Sequence, residues 1–406
     1  MTNWKKQNHL SQVQVAADRL QGILKPTSMI YSDFFSQETG KEIYLKPENL
    51  QLTGSFKIRG AFNKISQLAP EQRERGIIAS SAGNHAQGVA FSASRLGIPA
   101  QIVMPIVTPL IKIDSTKSHG AEVILHGNVY DDAYNKALDI AQNQGLSFIH
   151  PFDDYHVICG QGTIALEILN DIPDMDVLVV PVGGGGLISG IALAAKAINP
   201  RIRIVGVEPI GAAGMEQSVT AGKVVPLSTV QTAAEGVAVR QVGALCREIV
   251  CDYVDELIQV SEAEIMEAVL MLMEKHKMVG EAAGVLPLAA LKKIQSIGNK
   301  IACIISGGNI DVVTVSSLIN NGLVSRGRIL CFSVDLPDTP GQLLHISQIL
   351  SDQRANVIKL EHNQFKATDR LRDVQLEITV ETNGHDHIAS IISKIESYGY
   401  HIVRIY

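Results

Sequence analysis

The sequence predicts an α/β protein with doubly wound, largely parallel sheets, followed by a smaller α+β domain. Over the first 320 residues, short β-rich apolar runs alternate with stretches of helical periodicity, which is typical of doubly wound folds. The pattern changes after the turn-forming residues Asn320-Asn321-Gly322. We therefore divide the chain into a first domain at 1–320, a linker at 321–327 and a second domain at 328–406.

Seven apolar runs of the first domain are predicted as strands, because they are short, rich in β-branched residues and separated by helical patterns. Asn84–Leu96 and Tyr130–Gln144 are two of the intervening helices. In such sheets, ligand sites are expected at the carboxyl ends of the strands. The seven runs are Ile43–Leu45, Gly76–Ser80, Ala100–Met104, Glu122–Leu125, Val177–Val182, Arg203–Val207 and Ile301–Ile305.

The second domain is predicted to follow the β-α-β-β-α-β order of ferredoxin-like folds. Apolar residues alternate with polar ones in its strands, whereas they recur at helical spacing from Ile388 to Tyr398. The predicted elements are strand Leu330–Leu336, helix Gln342–Ser351, strand Val357–Leu360, strand Val374–Val380, helix Ile388–Tyr398 and strand His401–Ile405.

Composition and charge argue against several classes of function. The chain has 406 residues, of which 46% are hydrophobic and 19% charged, as is ordinary for a soluble protein. Its net charge of −6, with no basic cluster, makes nucleic acid and anionic membranes poor partners. The five scattered cysteines lack disulfide or zinc-site spacing, and no apolar segment follows Lys5-Lys6. Both observations favour the cytoplasm.

One uncharged segment, Val177–Ala195, approaches the length of a membrane span. Pro181 and four consecutive glycines interrupt it, and a helix loses about 1 kcal/mol for each Gly and about 3 kcal/mol for a Pro. We therefore expect a buried strand, a turn and the start of a helix, and no membrane partner.

Lys57 is the first candidate for chemistry because it falls in the first turn of a predicted amphipathic helix. Ser55 is the predicted N-cap, after a turn at Thr53-Gly54. The positive end of the helix dipole disfavours a cation, so it favours the neutral amine that can condense with an aldehyde or act as a base. Lys57 lies at the edge of the apolar stripe, where half burial is expected. The alternative is an ordinary surface lysine.

The run Gly183-Gly184-Gly185-Gly186 lies between a predicted strand and a helix that begins near Leu187. Glycines there let successive N–H groups converge on an anion at the positive end of the helix dipole. A dinucleotide site is the alternative, since Glu208 ends the next strand where a ribose-binding acid would lie. However, G-x-G-x-x-G fails in each register, because position 187 is leucine and position 189 is serine.

Two further strand ends carry small and polar residues. Ser80–Gly88 opens a helix, so its amides suit a carboxylate and the Asn84 side chain suits a phenolate oxygen. A capping role for Asn84 is the alternative. His85 has no partner in the sequence and is interpreted as structural. Ser306 begins Ser306-Gly307-Gly308-Asn309, where a serine is usually a turn former.

These four segments resemble those of the threonine and serine dehydratases, which are fold-type II (tryptophan-synthase-like) pyridoxal-phosphate enzymes, and they follow one another along the chain in the same order as in that family. The resemblance covers most of the first 320 residues. It implies pyridoxal 5'-phosphate as cofactor and two parallel-sheet subdomains, the smaller at about 50–150 and inserted in the larger.

The resemblance also implies a role for each segment. Lys57, in Ser-Phe-Lys-Ile-Arg-Gly-Ala, would bind the cofactor covalently, Asn84 would hydrogen-bond its ring hydroxyl, and Ser306 would meet its ring nitrogen. The cofactor phosphate is expected at Gly183, Gly184, Gly185, Gly186 and Leu187. The substrate carboxylate is expected at the amides of Ser81, Ala82, Gly83, Asn84 and His85.

The implied reaction is the dehydration and deamination of L-threonine to 2-oxobutanoate and ammonia, with L-serine to pyruvate as a side reaction. Lys57 would remove the α-proton. The β-hydroxyl would leave with help from the cofactor phosphate. A neutral Ser306 hydroxyl does not hold the ring nitrogen protonated, so less carbanion charge drains into the ring. Elimination suits such a site because the charge departs with the hydroxyl.

Serine racemases share most of these motifs but place a serine where this chain has Ala82. A methyl group cannot carry a proton, so we expect weak racemisation. Those enzymes also bind a cation through a glutamate and a later acidic residue, here Glu208 and Gly214. The glycine removes one hard ligand, and we assign no metal. Glu281 is a weak further site residue. A racemase and a catalytically silent amino-acid sensor remain the alternatives.

The segment Asp335–Leu343 resembles the signature turn of ACT regulatory domains. The resemblance implies that a free amino acid approaches the helix start at Pro340, Gly341 and Gln342, often across a subunit interface. We expect a branched-chain amino-acid effector and a homodimer or homotetramer, with isoleucine synthesis and threonine breakdown both open as roles. A structural dimerisation domain is the alternative.

Overall fold

The chain folds as two units, Met1–Asp311 and Val312–Tyr406. The structure is a computed structural model that describes residues 4–294, 298–363 and 373–406. The strands of the described residues are β1 (Ile30–Tyr31), β2 (Glu42–Lys46), β3 (Ile77–Ser80), β4 (Ala100–Met104), β5 (Glu122–Leu125), β6 (Ser147–Phe148), β7 (Val177–Pro181), β8 (Arg203–Pro209), β9 (Glu256–Val260), β10 (Lys300–Ile304), β11 (Ile329–Pro337), β12 (Asn356–Asn363), β13 (Asp373–Glu381) and β14 (Ile402–Arg404).

Helices separate most of these strands, as the sequence pattern predicts. The helices of the described residues are α1 (His9–Leu20), α2 (Asp33–Thr39), α3 (Lys57–Ile65), α4 (Pro70–Arg75), α5 (Asn84–Leu96), α6 (Leu110–Ser118), α7 (Tyr130–Gln144), α8 (Tyr155–Asp171), α9 (Gly186–Ile198), α10 (Gly214–Thr220), α11 (Ala244–Tyr253), α12 (Glu262–His276), α13 (Leu286–Ala290), α14 (Val312–Ser325), α15 (Gln342–Asp352) and α16 (His385–Ser397).

The larger sheet of the first unit has the strand order β1-β2-β10-β7-β8-β9. Each of its strand pairs is parallel except β1 with β2. Strand β7 is buried along its whole length, as expected for a continuous apolar run covered on both faces. Residues of β7, α8 and α9 share one core, which includes Leu178, Ile164 and Ile191.

The smaller sheet has the order β5-β4-β3-β6 and is parallel throughout. Its strands lie between residues 77 and 148, whereas β2 before it and β7 after it belong to the larger sheet. The apolar sides of α3 and α5 pack on it, with Ile65 and Val89 in one core. The predicted α/β class with parallel sheets is therefore confirmed.

Glycines bring α3 close to its neighbours and so determine where its first residue lies. A Cβ added at Gly160 of α8 would come within 2.6 Å of the Arg59 carbonyl oxygen, and one added at Gly88 of α5 within 3.1 Å of the Lys57 carbonyl carbon. Real Cβ atoms essentially never approach as closely as the first distance. The approach of α3 to α8 therefore requires glycine at position 160, whereas a side chain at position 88 would force its neighbours to move by a few tenths of an ångström.

The second unit has the predicted β-α-β-β-α-β order after an initial helix, α14. Its antiparallel sheet has the order β12-β13-β11-β14, and its core joins strand residues such as Phe332 and Ile378 to Ile346 and Ile391 of the two following helices. The ferredoxin-like plan is confirmed. Asn320-Asn321-Gly322, interpreted from the sequence as turn-forming, instead lie within α14, which extends to Ser325; the linker at 321–327 stays a prediction. Asparagines and a glycine suggest a turn locally, but the apolar residues around them support a helix.

Candidate active site

Lys57 lies in the first turn of α3, as predicted, and is the first residue of that helix, but Ser55 is not its N-cap. Phe56 occupies the cap position and makes no side-chain capping bond. Ser55 instead forms an isolated antiparallel bridge with Gly307, and the Phe56 N–H donates to the Ser306 carbonyl oxygen over 3.1 Å. Backbone pairing with the segment after β10 therefore replaces the expected cap and places Ser306 beside the start of α3.

The Lys57 side chain is half-buried, as its position on the helical wheel predicts. Its Nζ donates to the Pro151 carbonyl oxygen over 3.0 Å. Burial of the amine lowers its pKa to about 8, although nearby Cys246 and Glu281 oppose this shift. Compared with an ordinary lysine, the neutral fraction at pH 7 rises by about two orders of magnitude. Lys57 can therefore serve as a nucleophile or base near neutrality.

The four glycines connect β7 to α9, which begins at Gly186 with Gly185 as its N-cap at φ +98°. A Cβ at Gly184 would lie 2.3 Å from the Phe152 ring, and one at Gly183 would lie 2.8 Å from the Val237 Cα. Within the described residues, the N–H groups of 183–187 donate to no protein acceptor. These free amides at a helix N-terminus fit a phosphate group.

The segment 81–85 forms the entry into α5, which begins at Asn84 with Gly83 as its N-cap. The Ser81 hydroxyl accepts the Gly83 N–H over 3.2 Å. Ala82 packs partly buried against the core of the smaller sheet. The His85 ring is bonded to the Ile149 carbonyl oxygen over 2.9 Å, and burial lowers its pKa to about 3. His85 is thus a neutral structural side chain, as interpreted from the sequence.

The Asn84 side chain does not cap its helix but joins two other residues. Its Nδ2 donates to Glu281 Oε1 over 2.7 Å, and its Oδ1 accepts from Asn309 Nδ2 over 2.8 Å. Asn309 also donates to the Thr53 carbonyl oxygen over 2.8 Å. This network connects the smaller sheet, the segment after β10 and the turn before Lys57.

Glu281 is the acidic residue that the sequence indicated only weakly. Burial raises the pKa of its carboxyl group to about 7, against the effect of the Asn84 hydrogen bond. A Cβ at Gly307 would come within 2.4 Å of Glu281 Oε1, so glycine there leaves room for the carboxyl group. The signal for Glu281 was limited to a glutamate between small residues, Gly280 and Ala282.

Glu208, the other acidic candidate, has a structural role in this fold. Its two carboxylate oxygens accept the N–H groups of Met215 and Glu216 over 2.8 and 2.9 Å, at the start of α10. Burial raises its pKa to about 7, although these two hydrogen bonds oppose the shift. Among the described residues, no group of three or more His, Cys, Asp or Glu side chains is arranged to hold a metal.

The predicted regulatory turn lies in the second unit, at the start of α15. Gly341 is the N-cap, with φ +97°, and Gln342 begins the helix. Gln342 accepts a hydrogen bond from the Tyr400 hydroxyl over 3.0 Å. Pro340 precedes this glycine, so the turn and the helix start form the predicted junction.

No helix in the described part of the chain combines the length and apolarity needed to cross a bilayer. The uncharged segment considered above forms β7, the glycine turn and most of α9, as predicted.

Residues 20–307 match the family of pyridoxal-phosphate dependent enzymes. The chain is 46% identical over 394 residues to the L-threonine ammonia-lyase of Thermotoga maritima, which covers 97% of this chain and 98% of the relative. Two solved structures have similar folds. The processed threonine deaminase isoform 2 of Solanum lycopersicum has a TM-score of 0.73 and 37% identity, covering 77% of this chain and 92% of the other. Maize serine racemase has a TM-score of 0.74 and 37% identity, covering 78% and 98%.

Proposed function

We propose, from the premise that this chain belongs to the pyridoxal-phosphate dependent enzymes, that it deaminates L-threonine to 2-oxobutanoate and ammonia and converts L-serine to pyruvate more slowly. It is a carbon–nitrogen lyase, as its near full-length relative is. The observation that carries the proposal is the Lys57 amine, whose pKa is lowered to about 8 and which lies in a site with the four-glycine turn, Asn84 and Ser306.

The residues of the site fit pyridoxal 5'-phosphate. The free amides of 183–187 would hold its phosphate, Asn84 its ring hydroxyl, Ser306 its ring nitrogen, and Lys57 its aldehyde carbon. When bound, the cofactor supplies an electron-withdrawing system that makes the proton on the substrate α-carbon more acidic. Ser306 is 4% exposed, so water does not compete freely for the group that it meets.

The protein's own residues supply a base and a carboxylate site. The Lys57 amine takes the α-proton, and desolvation keeps a usable fraction of it neutral. Within the segment 81–85, the Ser81 N–H donates to the Val103 carbonyl oxygen and the Gly83 N–H to the Ser81 hydroxyl. The N–H groups of Ala82, Asn84 and His85, together with the dipole of α5, would therefore orient the substrate carboxylate. A substrate held in this orientation presents its α-proton to the Lys57 amine.

Ala82 favours elimination over racemisation. Racemisation needs a second proton carrier on the opposite face, and a methyl group cannot supply one. The likeness to maize serine racemase makes this alternative specific. A catalytically silent sensor is less well supported, because the chain retains Lys57, Asn84 and Ser306, the residues proposed to meet the cofactor.

A direct assay distinguishes the ammonia-lyase, the racemase and the silent sensor. Purified protein with pyridoxal phosphate should release 2-oxobutanoate from L-threonine, more slowly release pyruvate from L-serine, and form little D-serine. Lys57→Ala should lose activity by several orders of magnitude. Absence of keto acid from both substrates would contradict the proposed function, and D-serine as the main product would favour the racemase.

Three finer properties extend the proposal. The second unit would act as an ACT regulatory domain that binds isoleucine or valine at Pro340, Gly341 and Gln342. The protein would form a homodimer or homotetramer, which light scattering on the purified chain would test. It would reside in the cytoplasm, a location supported by five free cysteines.

A further inference from the structure

A short turn after β6 contacts the active site at several points, although the sequence drew no attention to it. The turn consists of residues 150–153, His150-Pro151-Phe152-Asp153. His150 Nδ1 accepts two backbone hydrogen bonds, from the N–H of Phe152 over 3.3 Å and from that of Asp153 over 2.8 Å. The imidazole thus closes the turn on itself.

The remaining three residues of the turn each reach a different part of the site. The Pro151 carbonyl oxygen accepts from Lys57 Nζ over 3.0 Å. The Phe152 ring lies against the four-glycine turn, where a Cβ at Gly184 would be 2.3 Å from it. The Asp153 carboxylate accepts the N–H groups of 244 and 246 over 3.0 and 3.1 Å, in the first turn of α11.

Helix α11 also contacts the four-glycine turn. The N–H of Gly243, which precedes α11, donates to the Gly184 carbonyl oxygen over 3.0 Å. The glycine turn is therefore held from both sides, by Phe152 directly and by Asp153 through α11. One four-residue turn connects the reactive amine to the phosphate-binding amides.

The His150 imidazole can accept these two N–H groups only in one protonation state. Nδ1 accepts two N–H groups, so the ring proton of the neutral form is on Nε2. A doubly protonated ring would have a donor at Nδ1 and would lose both bonds. Burial lowers the pKa of His150 to about 4, which keeps the ring neutral at physiological pH. The ring also packs edge-on against Phe152, with centroids 4.8 Å apart.

We propose that His150 is a positioning residue, which holds the 150–153 turn and thereby sets the Lys57 amine at the correct place relative to the four-glycine turn. His150 itself touches neither Lys57 nor the glycines in the described contacts; it acts through Pro151 and Phe152. The kinetic consequence rests on the proposed function, whereas the consequence for cofactor binding does not.

Two amide substitutions distinguish this role from simple packing. In His150→Asn, the side-chain oxygen is attached to Cγ, as Nδ1 is, and can accept the same two N–H groups. In His150→Gln, the oxygen lies one bond farther, close to the position of Nε2. Both variants lose the ring, and Asn is one methylene smaller than Gln, so packing alone predicts that His150→Asn is at least as damaging as His150→Gln. A matched control is His387→Gln, because His387 Nδ1 accepts the Asn383 N–H over 3.0 Å in the other unit.

The variants would be compared by titrating cofactor-depleted protein with pyridoxal phosphate, and by kcat and KM for threonine per bound cofactor. We expect His150→Gln to weaken cofactor binding and to lower kcat about tenfold each, since two hydrogen bonds are lost. His150→Asn should stay within about threefold of the wild type, and His387→Gln should be unchanged without effector.

Equal losses in the two His150 variants, or a His150→Gln protein that loads and turns over normally, would overturn the proposal. If His150→Gln does not fold, His150→Asn decides alone: near-normal cofactor loading supports the proposal, and impaired loading or folding refutes it. A wild-type protein inactive on threonine would count against the proposed function, while the cofactor titration would still test His150.

Discussion

Burial changes the protonation of two side chains in this site. The Lys57 amine and the Glu281 carboxyl group are each shifted toward the neutral form, with pKa values of about 8 and 7. Loss of water is the main cause in both cases, since it penalises whichever form is charged. Titrating groups near neutrality are typical of catalytic sites. Glu281 is therefore expected to make the stability of the protein depend on pH.

The direction of this pH dependence follows from the direction in which folding shifts the Glu281 pKa. A carboxyl group whose pKa is higher in the folded than in the unfolded protein favours folding below the unfolded value of about 4.3. That contribution is lost as the pH rises toward the folded value of about 7. In Glu281→Gln the group stays neutral, so this loss disappears.

We therefore expect urea unfolding to show that Glu281→Gln loses less stability than the wild type between pH 5 and pH 8, by about 1–3 kcal/mol. Glu71→Gln, at an exposed position of α4, should follow the wild-type curve. Parallel curves for the wild type and Glu281→Gln would show that the carboxyl group does not titrate in this range.

At the scale of elements, the site depends on how the starts of α3, α5 and α9 are held. For α9, the four-glycine turn packs against Val237 and Phe152 so closely that Gly183 and Gly184 leave no room for a Cβ. For α3, a buried ionic cluster holds the helix immediately after Lys57. Both features can be tested by single substitutions with controls elsewhere in the first unit.

Gly184→Ala should push the four-glycine turn away from the Phe152 ring, because the new Cβ would lie 2.3 Å from it. Overpacking of this kind costs about 1–3 kcal/mol, so we expect cofactor affinity to fall about tenfold to a hundredfold. Gly214→Ala is the control, since its Cβ would meet Leu227 at an ordinary 3.5 Å. Equal cofactor affinities in both variants would refute the steric argument.

The ionic cluster joins Arg59 of α3 to acidic residues on two other segments. Arg59 bonds both oxygens of Glu48 over 2.8 Å and also contacts Glu167 of α8, which Lys46 of β2 contacts in turn. Burial alone would lower the pKa of the Arg59 guanidinium, but Glu48 and Glu167 raise it. The pair of Arg59 and Glu48 is fully buried, so neither charge can be left without the other.

Arg59→Met should destabilise the protein by about 3–5 kcal/mol, because it leaves the Glu48 carboxylate buried without a cationic partner. Chemical denaturation would measure the change. Arg240→Met removes the Arg240–Asp131 pair, whose side chains are 61% and 52% exposed, and should cost less than about 1 kcal/mol. A similar small effect at Arg59 would mean that Glu48 becomes protonated or solvated at little cost.

At the scale of the whole molecule, the chain combines a catalytic fold with a second unit that has its own core. Its full-length likeness to a threonine ammonia-lyase spans both units, since it covers 97% of the chain. The proposed branched-chain effector would therefore act through residues that are absent from the active site. Regulation should be separable from catalysis.

We expect isoleucine or valine to change the rate of 2-oxobutanoate formation by the full chain, and a chain ending at Asp311 to keep activity without that response. In the full chain, Gly341→Ala should weaken the response, because its φ of +97° strains a side chain at the proposed effector site. Gly399→Ala is the control: its φ is +84°, and its Cβ also has open space. An equal response in both glycine variants would argue against binding at Gly341.

Strong local patterns made much of this fold predictable. The bounds of β4, β5, α5 and α7 agree with the sequence prediction, because apolar periodicity is a local property of the chain. Lys57 at the start of α3 and the glycines before α9 were also visible, since helix starts and glycine runs are local. The turn expected at Asn320-Asn321-Gly322 is wrong, because the apolar residues around it support the helix α14.

What the sequence determined by itself was the class of fold, the order of its elements, and the positions of the lysine and the four-glycine turn that we propose as the cofactor site. Only the tertiary structure decided that Ser55 pairs with Gly307, that Glu281 bonds Asn84, and that the 150–153 turn connects Lys57 to the glycines. These contacts join residues about 30 to 250 positions apart, and pairing over such separations leaves no periodic signal in the chain. Lys57 owes its place to its own helix, but its lowered pKa to the fold around it.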